Sequence, residues 1–154
     1  MVSVPLGDRL NICGRHHFRV DIDGMRPMGF REIEGVNVNI EPQEYREGSD
    51  PLSTVRLDPG LTRCGPLVLR YGVTASPARE ELWDWMRQSL EGNLQRRDIS
   101  IIVLDRKNTE VARYNLINAW PSSWRLDKLD TKSSAPLLEE VTIQYENLYL
   151  ETSK

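Results

Sequence analysis

His16 and His17 are the two histidines of the chain, and with Cys13 and Cys64 they have the most reactive chemistry to offer. Cys13 and His16 stand at a Cys-x-x-His spacing that suits two zinc ligands, but a structural zinc takes four, and only Cys64 or carboxylates are left to complete it. Adjacent residues on a strand point to opposite faces, so His16 and His17 do not converge on one ion. A Cys-His nucleophile needs an oriented base and an oxyanion site, and no motif for either is present. Gly60, Gly65 and Gly72 precede no Gly-Lys-Ser/Thr and open no helix, so they read as turn glycines rather than a phosphate loop. Trp83, Trp85, Trp120 and Trp124 offer faces for stacking on bases or sugars. Trp85, however, falls on a helical apolar stripe, and Trp120 beside Pro121 suits a barrel end or a subunit contact. Arg96-Arg97 next to Asp98 reads as a solvated or interfacial helix exit. The expectation is no catalytic residue, no metal and no cofactor. The enzyme-class alternative is a small β-barrel hydrolase using Cys13, His16 and carboxylates.

Composition narrows the classes further. A chain of 154 residues suits one domain, 1–154, with a single core. Its 20 Lys and Arg against 23 Asp and Glu give a net charge of -3, which argues against a nucleic-acid footprint. No stretch has the apolar length of a membrane span, and the opening Met1 to Asp8 lacks the basic start and apolar middle of a signal peptide. Cytoplasmic synthesis without membrane insertion is expected. Two cysteines imply no disulfide framework.

The elements that must position any site are mostly strands. Residues 1–13 show no sustained period and read as an N-terminal arm. Phe18, Val20 and Ile22 alternate with Arg19, Asp21 and Asp23, and Val36, Val38 and Ile40 alternate with Asn37, Asn39 and Glu41, the pattern of strands that bury one face and wet the other. Strands are expected at about 15–23, 28–34 and 36–46, followed by a long loop over 48–64 punctuated by Gly48, Pro51, Pro59 and Gly60. Leu67, Leu69 and Tyr71 mark the next strand. Ser76 as N-cap, Pro77 at the first helical position and Gly92 as terminator bound a helix whose stripe is Leu82, Trp85, Met86 and Leu90. Ile99 to Leu104 is apolar on both faces, a strand sandwiched between that helix and the rest of the sheet. Val111 to Ala119 is its hairpin partner, Pro121 limits the ladder, 127–135 is a polar linker, and Val141, Ile143 and Tyr145 mark a closing strand. The fold class is mainly β (α+β): one antiparallel β-barrel or sandwich with one flanking α-helix.

Seven short blocks then carry a resemblance. They are Arg19-Val20-Asp21-Ile22-Asp23-Gly24, Gly29-Phe30-Arg31-Glu32-Ile33-Glu34-Gly35, Glu44-Tyr45-Arg46-Glu47-Gly48, Leu61-Thr62-Arg63-Cys64-Gly65, Leu82-Trp83-Asp84-Trp85, Arg97-Asp98-Ile99-Ser100-Ile101 and Asn118-Ala119-Trp120-Pro121. In this order, over about residues 15–150, the chain resembles the tail tube protein family of contractile phage tails and extracellular contractile injection systems. The resemblance implies a structural subunit, forming homo-hexamer rings that stack into a tube inside a sheath, with baseplate hub and tube-terminator proteins at its ends. A tube-initiator subunit at the baseplate end is the alternative within the family. It implies a lumen that passes cargo protein or nucleic acid, with Arg19, Asp21, Asn37, Asn39, Glu41, Asn115, Gln144 and Glu146 as lumen-facing candidates. It implies ring stacking through the 48–64 region, the arm and the C-terminal end, with Tyr45, Arg46, Glu47, Asp50, Leu52, Arg56, Leu57 and Leu61 as candidates. Assembly into a phage tail or a released tail-like particle follows.

Overall fold

A computed structural model of the chain describes residues 17–46, 48–49 and 55–152. The arm at 1–13, Cys13, His16, Glu47, Asp50 and Leu52 lie outside the described residues. Among those described the fold is antiparallel β with one helix: β1 (Phe18–Ile22), β2 (Glu32–Glu34), β3 (Val38–Tyr45), β4 (Arg56–Cys64), β5 (Leu67–Gly72), α1 (Pro77–Leu90), β6 (Arg97–Leu104), β7 (Glu110–Leu126), β8 (Leu138–Gln144) and β9 (Asn147–Thr152).

Seven strands join in the order β1-β6-β7-β8-β5-β2, with β9 also on β7. The 17-residue β7 makes this one sheet with a corner. Its first half lies between β6 and β9, and its second half pairs with β8. The corner falls at Asn118, whose φ is 53°. There the Asn118 N–H donates to Asp98 Oδ1 at 3.1 Å, its side-chain amide donates to Glu146 Oε2 at 2.9 Å, and the Glu146 N–H donates to Ile117 O at 3.0 Å. Strands that change sheets at such a bend let two layers face each other over one core. Val20, Ile22, Ile99, Ile101 and Leu116 from one layer meet Leu67, Leu69, Tyr71, Val141 and Ile143 from the other.

Helix α1 covers this core through Ala78, Leu82, Trp85 and Met86. Pro77 supplies a preset φ where no backbone N–H is needed, and Gly92, at φ +81°, follows the last turn in the left-handed conformation a side chain resists. The Trp85 indole N–H donates to Gln95 O at 2.7 Å, so its polar atom is satisfied while its rings are buried.

Several expectations change. Leu90 is 68% exposed and is no part of the stripe that packs. Ser76 has the extended backbone of an N-cap, but its side chain makes no capping hydrogen bond. β2 is three residues long, not the expected seven. β7 runs through Pro121, which pairs with Ile143 and is followed by a bulge that absorbs its missing donor. Beyond β8 the chain adds β9, a strand the pattern had not suggested. The largest change is in 48–64, whose second half is β4, paired with β3 as a separate two-stranded sheet. Every residue of β3 is exposed on both faces, so the alternation at Val38 and Ile40 does not mark burial within the subunit.

Candidate assembly surfaces

Three surfaces stand out, and each is built by strand register. The first is the outer face of the layer β1-β6-β7-β9. Since Val20 and Ile22 point into the core, Arg19 and Asp21 point out. Register carries that face across all four strands, in one row Asp21, Ser100, Asn115 and Tyr149, and in the next Arg19, Ile102, Arg113 and Glu151. Charges on it are largely internally paired. Arg19 meets Asp21 at 3.3 Å, Arg113 takes both carboxylate oxygens of Glu110 at 2.9 and 3.0 Å, and the Ser100 hydroxyl donates to Asn115 Oδ1 at 2.8 Å. The Arg113 guanidinium holds the Glu110 carboxyl below its ordinary value.

The second surface is the β3–β4 hairpin. It is anchored at its base, where the Tyr145 hydroxyl donates to Asn37 O at 3.1 Å and the Gly65 N–H reaches Asn37 Oδ1 at 3.1 Å. Cys64 lies against the core here, its thiol 3.5 Å from Glu146 O and pushed up in pKa by burial. Gly60 is not a turn residue but sits inside β4 beside a bulge, where an added Cβ would stand 2.6 Å from Glu41 O. Along its length the hairpin shows solvent several apolar side chains. Val38, Ile40 and Tyr45 are exposed, and Leu57 and Leu61 are 65% and 64% exposed. A lone domain has no use for such a projection, since exposed strand edges and apolar side chains invite pairing with another chain.

The third surface is the outer face of β2-β5-β8. Arg70 gathers Glu34 at 2.7 Å, Glu140 at 2.8 Å and Glu32 at 3.1 Å, and Arg125 shares Glu140 at 3.1 Å. The hydrogen bonds that Arg70 donates to Glu140 and Glu34 raise its pKa further, so this guanidinium is a fixed charge.

The lumen candidates therefore do not form one group. Arg19, Asp21 and Asn115 share the first face. Gln144 lies in β8 with its amide on Ser122 Oγ, Glu146 is at the corner, and Asn37, Asn39 and Glu41 are at the base of the hairpin. Among the stacking candidates Tyr45, Arg46, Arg56, Leu57 and Leu61 are exposed on the hairpin or beside it. Sequence reasoning missed Ser100, Arg113 and Tyr149 on the first face. The first two stood in apolar or mixed runs, and Tyr149 lay in the unanticipated β9. Among the described residues no group of three His, Cys, Asp or Glu is placed to hold a metal, and no helix is long and apolar enough to cross a membrane.

Among the described residues, a polar outer layer, strand edges without a partner and an apolar projection are features that suit assembly. The family model of the T4-like virus tail tube protein gp19 matches residues 14–149, and the chain belongs to that family. Solved structures give the same fold. A chain of the sheath-tube complex of the extracellular contractile injection system PVC, in its extended state, is 21% identical, with a TM-score of 0.82 over 98% of this chain and 100% of that one. A chain of the PVC sheath/tube terminator structure is 23% identical, with a TM-score of 0.79 over 99% and 100%. A chain of the anti-feeding prophage baseplate is 22% identical, with a TM-score of 0.78 over 98% of each. Among curated proteins no sequence matches the chain.

Proposed function

We propose that the chain is the repeating subunit of the inner tube of a contractile injection system or phage tail. Copies join side by side into a hexameric ring, rings stack, and the channel passes cargo. The observation that carries this reading is the layer β1-β6-β7-β9. It is polar on one face and packed on the core by the other, and its two outer edges, β1 and β9, have no strand partner among the described residues. Neighbouring strands in the layer are antiparallel, so β1 and β9 run in opposite directions. An edge β9 can thus take the β1 of a neighbouring copy as its next antiparallel strand, and repetition around an axis closes a barrel with no edge left. The face of Arg19, Asp21, Ser100, Asn115 and Arg113 then lines the channel. Its paired charges make no single-sign field, which favours passage over binding.

The sheath, baseplate and terminator proteins named with the similar structures supply the partners of this reading, the sheath around the tube and the baseplate and terminator proteins at its ends. The work is structural and needs no catalytic group. The subunit is made in the cytoplasm and ends in a tail or tail-like particle. A tube initiator at the baseplate end is the second reading, supported by the likeness to a baseplate chain, and it differs in forming rings that do not elongate alone. Size-exclusion chromatography with light scattering tests both. Hexamers or larger multiples are expected, and a small defined species at every concentration would overturn the tube reading.

A further inference from the structure

β8 and β9 both run antiparallel to β7, and the two residues between them, Tyr145 and Glu146, lie opposite its corner at Asn118. Both also reach the root of the β3–β4 hairpin. The buried Tyr145 places its hydroxyl to donate to Asn37 O at 3.1 Å and to accept from the Asn37 N–H at 3.3 Å, and the Cys64 thiol donates to Glu146 O at 3.5 Å. A hairpin that buries neither face beyond its base takes its direction from such root contacts. On the other side Glu146 holds the corner. Its N–H donates to Ile117 O at 3.0 Å, its Oε2 accepts from the Asn118 amide at 2.9 Å, and the Asn118 N–H is held in turn by Asp98 Oδ1 at 3.1 Å. Arg96, 3.5 Å from Glu146 and half-exposed like it, adds little, since exposed ion pairs are weak.

We propose that Glu146 is a positioning residue that couples the β3–β4 hairpin to the edge strand β9, which starts at the next residue. A shift of the chain at Glu146 disturbs the Cys64 contact and the Asn118 contact together, and contiguous hydrogen bonds with two discrete arrangements are what carries energy between separate parts of a fold. Such a coupling works in both directions: whatever fixes β9 also fixes the direction of the hairpin, and the reverse. It is a property of one subunit and goes beyond the tube reading. Within that reading, a β9 that has paired with β1 of its neighbour holds the hairpin of its own copy in place, so ring closure prepares the hairpin before any second ring arrives.

Hydrogen exchange read by mass spectrometry on the full chain tests the coupling, at one protein concentration for all variants. Asn118→Gly keeps the left-handed backbone and removes the side-chain bond to Glu146. It is expected to speed exchange about tenfold at the Gly65 N–H, which bonds to Asn37 in the hairpin root and not to Asn118. Tyr145→Phe removes the hydroxyl bonds at the root and is expected to speed exchange to a similar degree at the Asn118 N–H. Glu146→Ala should raise both, whereas Glu146→Gln, which can still accept from Asn118, should stay near the native rates. Faster exchange confined to the side that carries the substitution, or a uniform rise through β5 and β8, would overturn the coupling. Assembly is read separately by electron microscopy: tubes from a chain without the coupling overturn this inference and leave the tube reading standing, and a coupled chain that never assembles does the opposite.

Discussion

Glu139 is the buried charged residue of the described core, 4% exposed, and its environment shows how one side chain fixes the helix to the sheet. Burial by itself would raise its pKa, but hydrogen bonds from Arg79 and Tyr71 outweigh this and hold the carboxyl below its ordinary value of 4.5. A carboxyl depressed in the folded state contributes stability that is complete above its unfolded pKa and is lost as pH falls through the folded one. Glu139→Gln is therefore expected to cost about 2 to 4 kcal/mol at neutral pH, since it leaves Arg79 without its charge partner. It should also flatten the acid limb of the stability profile. Thermal unfolding followed from neutral pH to below the ordinary carboxylate range reads both, and an unchanged acid limb would show that other groups carry it. Sequence could not reveal this residue. Glu139 falls in the inward register of β8, where its type argues for the outside, and only the distant Arg79 and Tyr71 reverse that. Trp85 was legible because period, residue type and burial agree, while Leu90 continued the period past the end of the packed face.

At the scale of elements, legibility followed burial. β1, β5 and β8 pack one face on the core, so their alternation could be read directly, whereas the apolar run of β6 suggested a strand covered on both faces and its Ser100 side instead belongs to the outer face. Beyond its base the β3–β4 hairpin buries neither face among the described residues. With both faces in solvent β4 has no period to show, and Pro59 and Gly60 suggested a loop. They are tolerated because an exposed two-stranded ribbon can lose ladder bonds at a bulge. Since Leu57 and Leu61 support no core, Leu57→Glu with Leu61→Glu should change stability by no more than about 0.5 kcal/mol per site. The same pair is expected to stop ring stacking, because it places charge on the apolar projection. Circular dichroism and tube length measure the two effects. Normal tubes, or loss of the fold, would each contradict the assignment of this hairpin to assembly.

For the whole molecule, the pattern of half-polar strands around one helix was enough to indicate an antiparallel fold and, with the seven ordered blocks, the family. It was not enough to show which edges stay open, because that depends on β9 and on the corner at Asn118, where a left-handed residue and three hydrogen bonds redirect β7. Those two features leave a four-stranded layer with β1 at one side and β9 at the other. The central claim is that these edges join between copies. Cryo-electron microscopy of the assembled protein, at a resolution that separates strands, tests it most directly. The predicted map shows hexameric rings in which β1 of each copy hydrogen-bonds β9 of the next, with Arg19, Asp21 and Asn115 facing the channel; rings with both edges in solvent, or monomers at every concentration, would contradict it.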